Sequence, residues 1–323
     1  MEKQRILWID YAKAIAIFLV VVGHSFNPTG GGNLEAKNFI YSFHMPVFFF
    51  LSGYLYKRKN WKFTEELKKN IKSLIVPYYL LSILAGLISV PIFCYSGNYG
   101  ELFHRCFETL IGSGHGLAGP AWFLWSLFWI KLISWFTLHS KRPYLYVILS
   151  ISLAYLIGTF VWLDISSAFA AFPFFYLGWI IKEKGVINKV KKQTWLFLFL
   201  ATTPLLFYLN KWMGSVSIYS LQFGNYSYLF YFETLLGIAF FLSFITLISS
   251  RNNVIITNIS RISILIMSFH SAISGYVGAL INFPFLSDDT LLYGIISALI
   301  QVAILYYPST IILKKCPILV GGR

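Results

Sequence analysis

The sequence predicts an all-α integral membrane protein of about ten transmembrane helices with both termini in the cytoplasm. Three observations predict it. Of 323 residues, 57% are hydrophobic and 19% aromatic against 12% charged, which is not the balance of a water-soluble domain. Apolar stretches close to the ~20 residues a helix needs to cross roughly 30 Å of hydrocarbon recur along the chain, separated by short polar breaks. The third observation is where the charges fall. Ten helices alternating from a cytoplasmic N-terminus put 21 of the 26 Lys and Arg on the inner side. Lys37, Arg105 and Lys211 fall outside, and Lys13 and Lys131 lie within helices. This is the positive-inside bias, so the net charge of +14 reports topology, and no nucleic-acid partner is expected.

The expected spans are 6–26, 39–56, 73–95, 121–138, 144–162, 165–181, 195–210, 227–249, 263–282 and 291–313. Removing one would move later basic clusters to the outside. The spans of 16 to 18 residues are short for a full crossing and admit broken or re-entrant segments, so eight to eleven is the allowed range. The longest outer segment, Ser96 to Pro120, has 25 residues. The chain is therefore expected to form one transmembrane domain, 1–323, with no appended soluble domain. Met1 to Arg5 is basic and precedes an apolar run, as in a signal peptide, but no small-residue cleavage site ends that run and the first span is read as retained. Cys94, Cys106 and Cys316 form neither a metal pattern nor an even disulfide framework, although the first two lie close enough in sequence to pair. No metal is expected.

An ionisable group at membrane depth is costly unless it faces the bundle interior or water, and each is a functional candidate. In the first span, "KAIAIFLVVVGH" carries Lys13 and His24 at its two ends. Eleven residues of helix bring both to one face, about 16 Å apart along the axis. Asp10 shares that face, three residues before Lys13, and is placed to form an ion pair with it. Gly23 leaves room for close approach beside His24. In the second span, "FHMPVFFFLSG" sets His44 at the outer end, where Pro46 loosens the backbone ladder and frees carbonyls, while Ser52 and Gly53 offer a small-residue patch for a neighbouring helix. Ahead of the fourth span, four glycines and a proline from Gly112 to Pro120 describe an outer loop or re-entrant turn rather than a helix. It presents His115 and leads into Trp122, Trp125 and Trp129, whose rings suit either a sugar or the interfacial aromatic belt. Glu233, about two turns inside the eighth span, either pairs within the bundle or titrates as a catalytic acid. His270 stands mid-span in the ninth.

The stretches "WIDYAKAIAIFLVVVGHS", "FHMPVFFFLSGYLYKR" and "AWFLWSLFW" together resemble the acyltransferase-3 superfamily of membrane O-acyltransferases, and in particular its fucose 4-O-acetylase-like branch. The motifs are a basic residue, ten positions and a histidine, matched by Lys13 and His24; the block from Phe43 to Gly53; and the Trp-Phe-Leu start of the fourth span. "SFHS" around His270 is similar to a late helix of these proteins that often ends in histidine. Lysine at the first position lacks the bidentate fork of arginine. The soluble esterase-like domain that some relatives append is not expected here, so no serine triad carries over.

The resemblance implies transfer of an acetyl group from cytoplasmic acetyl-CoA, the acyl donor, to a sugar hydroxyl of a cell-surface polysaccharide or lipid-linked glycan, in the cell membrane and among its lipids. On that reading Lys13 and Asp10 serve the donor, with the inner basic rim. His24 is the general base or carries a covalent acetyl relay. His44 is a second acid/base or an oxyanion donor, and Glu233 is the third catalytic candidate. His115, Trp122 and His270 are the candidate substrate contacts. A transporter or flippase for a lipid-linked glycan is the alternative from another class, since buried charges and a proline-broken helix also occur there.

Overall fold

The computed structural model describes residues 5–26, 34–58, 62–158, 162–281 and 290–321. Lys3, Lys59 and Arg323 of the expected inner clusters, and parts of the expected spans at 159–161 and 282, lie outside the described residues. The secondary structure is almost wholly helical: α1 (Leu7–Ser25), α2 (Leu34–Tyr41), α3 (His44–Leu55), α4 (Phe63–Asn70), α5 (Val76–Ser96), α6 (Tyr99–Leu110), α7 (Trp122–His139), α8 (Pro143–Ile157), α9 (Ile165–Glu183), α10 (Val186–Lys189), α11 (Lys192–Met213), α12 (Phe230–Ile248), α13 (Val254–Leu280) and α14 (Leu291–Lys315). A two-residue hairpin, β1 (Val216–Ser217) with β2 (Gln222–Phe223), pairs antiparallel between α11 and α12.

Eight described helical segments are long and apolar enough to cross a membrane, from 19 to 34 residues. All ten expected spans meet a helix, but two of those helices fall short of that length. α8 has 15 residues and α3 has 12. The second expected span is in fact a broken pair, α2 and α3, interrupted at Ser42 and Phe43. Pro46 does not cause that break. It lies in the first turn of α3, where its missing N–H would have had no intrahelical partner. The segment Phe63–Ser96 is continuous through a π-turn at Ile71–Ile75, placed just before Pro77, as expected where a proline removes a ladder donor. The expected outer loop contains a helix that the sequence reading missed. α6 exposes Tyr99, Phe103, Phe107 and Leu110 on one side, the composition of a helix lying at a membrane surface.

α1 is the hub. It packs against α2, α3, α12, α13 and α14, which is why its few polar side chains meet so many neighbours. The tightest seam joins α3 to α9. A Cβ on Gly53 would collide with the backbone of Phe175, and one on Gly178 with that of Phe50, so glycine at both positions lets the two backbones touch, as small residues do between membrane helices. The small-residue patch read at Gly53 is thus used for helix contact.

The ends of the helices sort as the alternating path requires. At one end Tyr11 donates to the Arg251 carbonyl at 2.9 Å and Lys182 to the Tyr56 carbonyl at 2.8 Å, joining the start of α1 to the loop after α12 and the end of α3 to the end of α9. At the other end lie His24, Tyr41, His44 and the glycine-rich turn before α7. There Gly119, with φ +48°, lies against Ser271 of α13. Cys94, Cys106 and Cys316 are free and exposed.

Candidate active site

The break between α2 and α3 builds the site. The Ile40 carbonyl, left at the break, accepts a hydrogen bond from the His44 ring at Nδ1, 2.9 Å away. Because a carbonyl only accepts, Nδ1 carries the proton and Nε2 holds the lone pair. His270 is arranged the same way: its Nδ1 lies 3.1 Å from the Ile266 carbonyl one turn earlier on α13, and its Nε2 is enclosed with no partner. Two histidines from different helices thus have the same fixed tautomer.

His24, at the head of α1, stands among them. Its ring centre is 5.3 Å from that of His270 and 5.8 Å from that of Tyr41, and Tyr41 in turn is 4.7 Å from His44. Lys37 approaches the Tyr41 ring at 5.5 Å. Gly23 makes this possible, since a Cβ there would come within 2.9 Å of Tyr41. The room expected beside His24 is therefore filled by a tyrosine that the sequence reading did not single out. All three histidines lie deep among protein atoms, but their surface accessibility differs. His44 is 3% and His270 1% exposed, whereas His24 is exposed. Only His24 can offer an imidazole face to a substrate. His270 lies behind it, out of reach of a ligand that approaches His24.

The end of α1 is held from a second direction. Gln301 of α14 donates from Nε2 to Ser25 Oγ at 3.1 Å and to Ser297 Oγ at 2.9 Å. A glutamine in the middle of an apolar helix is itself a signal, overlooked when only ionisable groups are counted.

Lys13 is half-buried on α1, and the uninterrupted helix keeps it about 16 Å below His24. Asp10 also has a partner that the spacing argument did not name. Its salt bridge is with Arg5, 2.9 Å from Oδ1, backed by Arg5 Nε at 3.1 Å and Ser260 Oγ at 2.7 Å. The bidentate fork of Arg5 suits a carboxylate better than a lysine ammonium does, and Asp10 thereby fastens the start of α1 to α13. Glu233 is fully buried and accepts from Asn210 Nδ2 at 3.0 Å, tying α12 to α11 rather than joining the histidines.

His115 and Trp122 come together through a residue the sequence reading missed. Tyr219, on the turn between β1 and β2, lies 5.3 Å from the exposed His115 ring and 5.4 Å from Trp122, and its hydroxyl is 2.8 Å from Ser113 Oγ. Burial pushes the Tyr219 phenol up, so it stays protonated and able to donate. Beneath this aromatic rim lies Asp164, also missed because it falls in the short gap between two expected spans. It has φ +48°, is 2% exposed, and its Oδ2 has no partner among the described residues. Burial, reinforced by the nearby Glu108 carboxylate, holds its carboxyl well above the usual carboxylate range.

Residues 6–313 match the family described as acyltransferase domain. The chain belongs to the acyltransferase-3 family. Its acyltransferase domain is a helical bundle with eight described segments long and apolar enough to cross a membrane. The chain is also 26% identical over 213 residues to the nodulation protein NolL of Mesorhizobium japonicum, a match that covers 61% of this chain and 53% of that protein. The chain thus spans about half the length of this curated relative. No solved structure matches it.

Proposed function

We propose that this acyltransferase transfers an acetyl group from acetyl-CoA, presented at the cytoplasmic side of the plasma membrane, to a sugar hydroxyl of a cell-surface polysaccharide or lipid-linked glycan, as in the fucose 4-O-acetylase-like branch. The observation that carries the reading is His24, the exposed imidazole on the helix that also bears Lys13. Coenzyme A is too polar to cross the bilayer, so donor and acceptor have to meet along a path through the protein. Lys13 and the inner basic rim favour the anionic donor, and His24 serves the acceptor end.

In the transfer His24 takes the proton of the acceptor hydroxyl as its oxygen attacks the thioester carbonyl. The C–O bond forms, the C–S bond breaks, and the departing thiolate takes that proton back from the imidazolium as free thiol. His44, buried and with its tautomer fixed by the Ile40 carbonyl, backs Tyr41 and does not touch the substrate. The His115, Tyr219 and Trp122 rim has the flat faces and hydroxyl that bind a sugar ring. Mass spectrometry of the host's extracellular polysaccharide, with and without this gene, tests the proposal: loss of an acetyl mass from one sugar is expected. Unchanged acylation with loss of glycan export would overturn it in favour of a transporter.

A further inference from the structure

The enclosed nitrogen of His270 is the feature the reaction above does not use. Its Nδ1–H is committed to the Ile266 carbonyl, so Nε2 is a hydrogen-bond acceptor, and it has no partner among the described residues. A buried acceptor without a partner is uncommon in proteins and calls for a reason. The atom is closed to bulk solvent, so a side chain beside it is the partner that needs no enclosed water. The neighbouring polar ring is His24. Two imidazoles joined by an N–H···N bond of about 3 Å have ring centres about 5 Å apart, and these are 5.3 Å apart, inclined at 57°. A side-chain rotation closes the remaining gap, as catalytic hydrogen bonds commonly tighten only when substrate is bound.

We infer that His270 is a positioning residue that accepts a hydrogen bond from one nitrogen of His24 and so turns the other, as a free lone pair, toward the acceptor hydroxyl. The chain Ile266 carbonyl, His270, His24 orients the base as a carboxylate does in a catalytic triad, here with a neutral imidazole and a backbone carbonyl. No bond is made or broken at His270, and it never touches substrate. The other groups facing His24 are arranged differently. Tyr41 packs ring to ring, His44 packs on Tyr41 at 4.7 Å, and Lys37, a cation that also acts on His24, approaches the Tyr41 ring at 5.5 Å. From α14, Gln301 spends its amide protons on Ser25 and Ser297.

This inference rests on His24 being the base, and its test separates the two. The full-length protein in lipid nanodiscs is given acetyl-CoA and fragments of the host polysaccharide, and carbethoxylation of His24 by diethyl pyrocarbonate is followed in parallel by mass spectrometry at one near-neutral pH. His270→Phe should lower kcat about 10- to 100-fold, the usual effect of losing an orienting partner, with KM nearly unchanged. His270→Gln, which keeps an acceptor at the Nε2 position, should recover most of the rate, whereas His270→Asn, which keeps only the Nδ1 position, should not. His24→Ala with His270→Phe should be no slower than His24→Ala alone, as for groups acting as a unit. Carbethoxylation of His24 should slow severalfold in His270→Phe and not in His270→Gln. Equal rates and equal labelling in wild type and His270→Phe would overturn the inference, as would a His270→Gln variant as slow as His270→Phe. Labelling that depends on His270 in a protein that transfers no acetyl group would uphold the pairing and instead overturn the proposed function.

Discussion

Two buried polar clusters of this protein look alike in sequence and differ in space. His24, His44 and His270 are lone ionisable groups in apolar helices, and so is Glu233. Glu233 accepts from Asn210 on the adjacent helix with one oxygen, its other oxygen is buried without a partner among the described residues, and nothing in that pair opens outward. The histidines come from α1, α3 and α13 and meet around Tyr41, with one member exposed and one nitrogen unpartnered. A polar group at membrane depth is expensive wherever it lies. The comparison teaches that convergence from several helices, together with one accessible member, separates a reactive site from a structural clasp.

Mutations can break or sharpen this contrast. The largest effect is expected from His24→Ala, which should reduce acetyl transfer about 10²- to 10⁴-fold while the protein still inserts and unfolds at the wild-type temperature; normal transfer in that variant would reduce the cluster to a structural one. Next, Lys13→Ala should raise the KM for acetyl-CoA about tenfold, with Lys13→Arg close to wild type. Equal kinetics for the two variants would mean that Lys13 only anchors the helix. Glu233→Ala should cost on the order of 1 kcal/mol of stability, read as a lower melting temperature, with kcat per folded molecule unchanged. Glu233→Gln, which keeps an oxygen to accept from Asn210, should melt near wild type, and a large fall in kcat for Glu233→Gln would move this residue into the reaction.

The smallest effect concerns Asp164. Its carboxyl is raised in the folded protein, so the fold binds its proton more tightly than the unfolded chain does. That contribution is complete below the unfolded pKa and is lost as pH rises through the folded one. Asp164→Asn cannot titrate and tolerates the left-handed backbone. Its melting temperature should therefore exceed that of wild type at neutral pH and approach it in acid, and parallel curves would show that this carboxyl is not coupled to folding.

Much of the fold was legible in the sequence because hydrocarbon imposes a local rule. Every spanning segment must satisfy its own backbone and present apolar side chains over a set length. That rule set each of the ten expected spans on a helix, though it missed α6, and the Lys13 to His24 spacing survived because α1 is unbroken. It failed where geometry depends on neighbours. The spacing argument considered only Lys13 for Asp10 and did not anticipate Arg5, which reaches it from outside the helix. Pro46 was read as the break in the second span, whereas the chain turns at Ser42 and Phe43. A survey confined to ionisable residues passed over Asn210, Tyr219 and Gln301, whose importance comes from what they touch.

By itself, then, the sequence determined the membrane class, the order of the apolar helices, the charge asymmetry and the motif pairing a cation with an imidazole, since each depends on residues near one another in the chain. Only the tertiary structure decided which polar groups meet. The rotation of α13 beside α1, the glycine seam of α3 on α9 and the turn between α2 and α3 set distances of a few ångströms between residues far apart in sequence, and hydrogen bonds and proton transfer act only over that range.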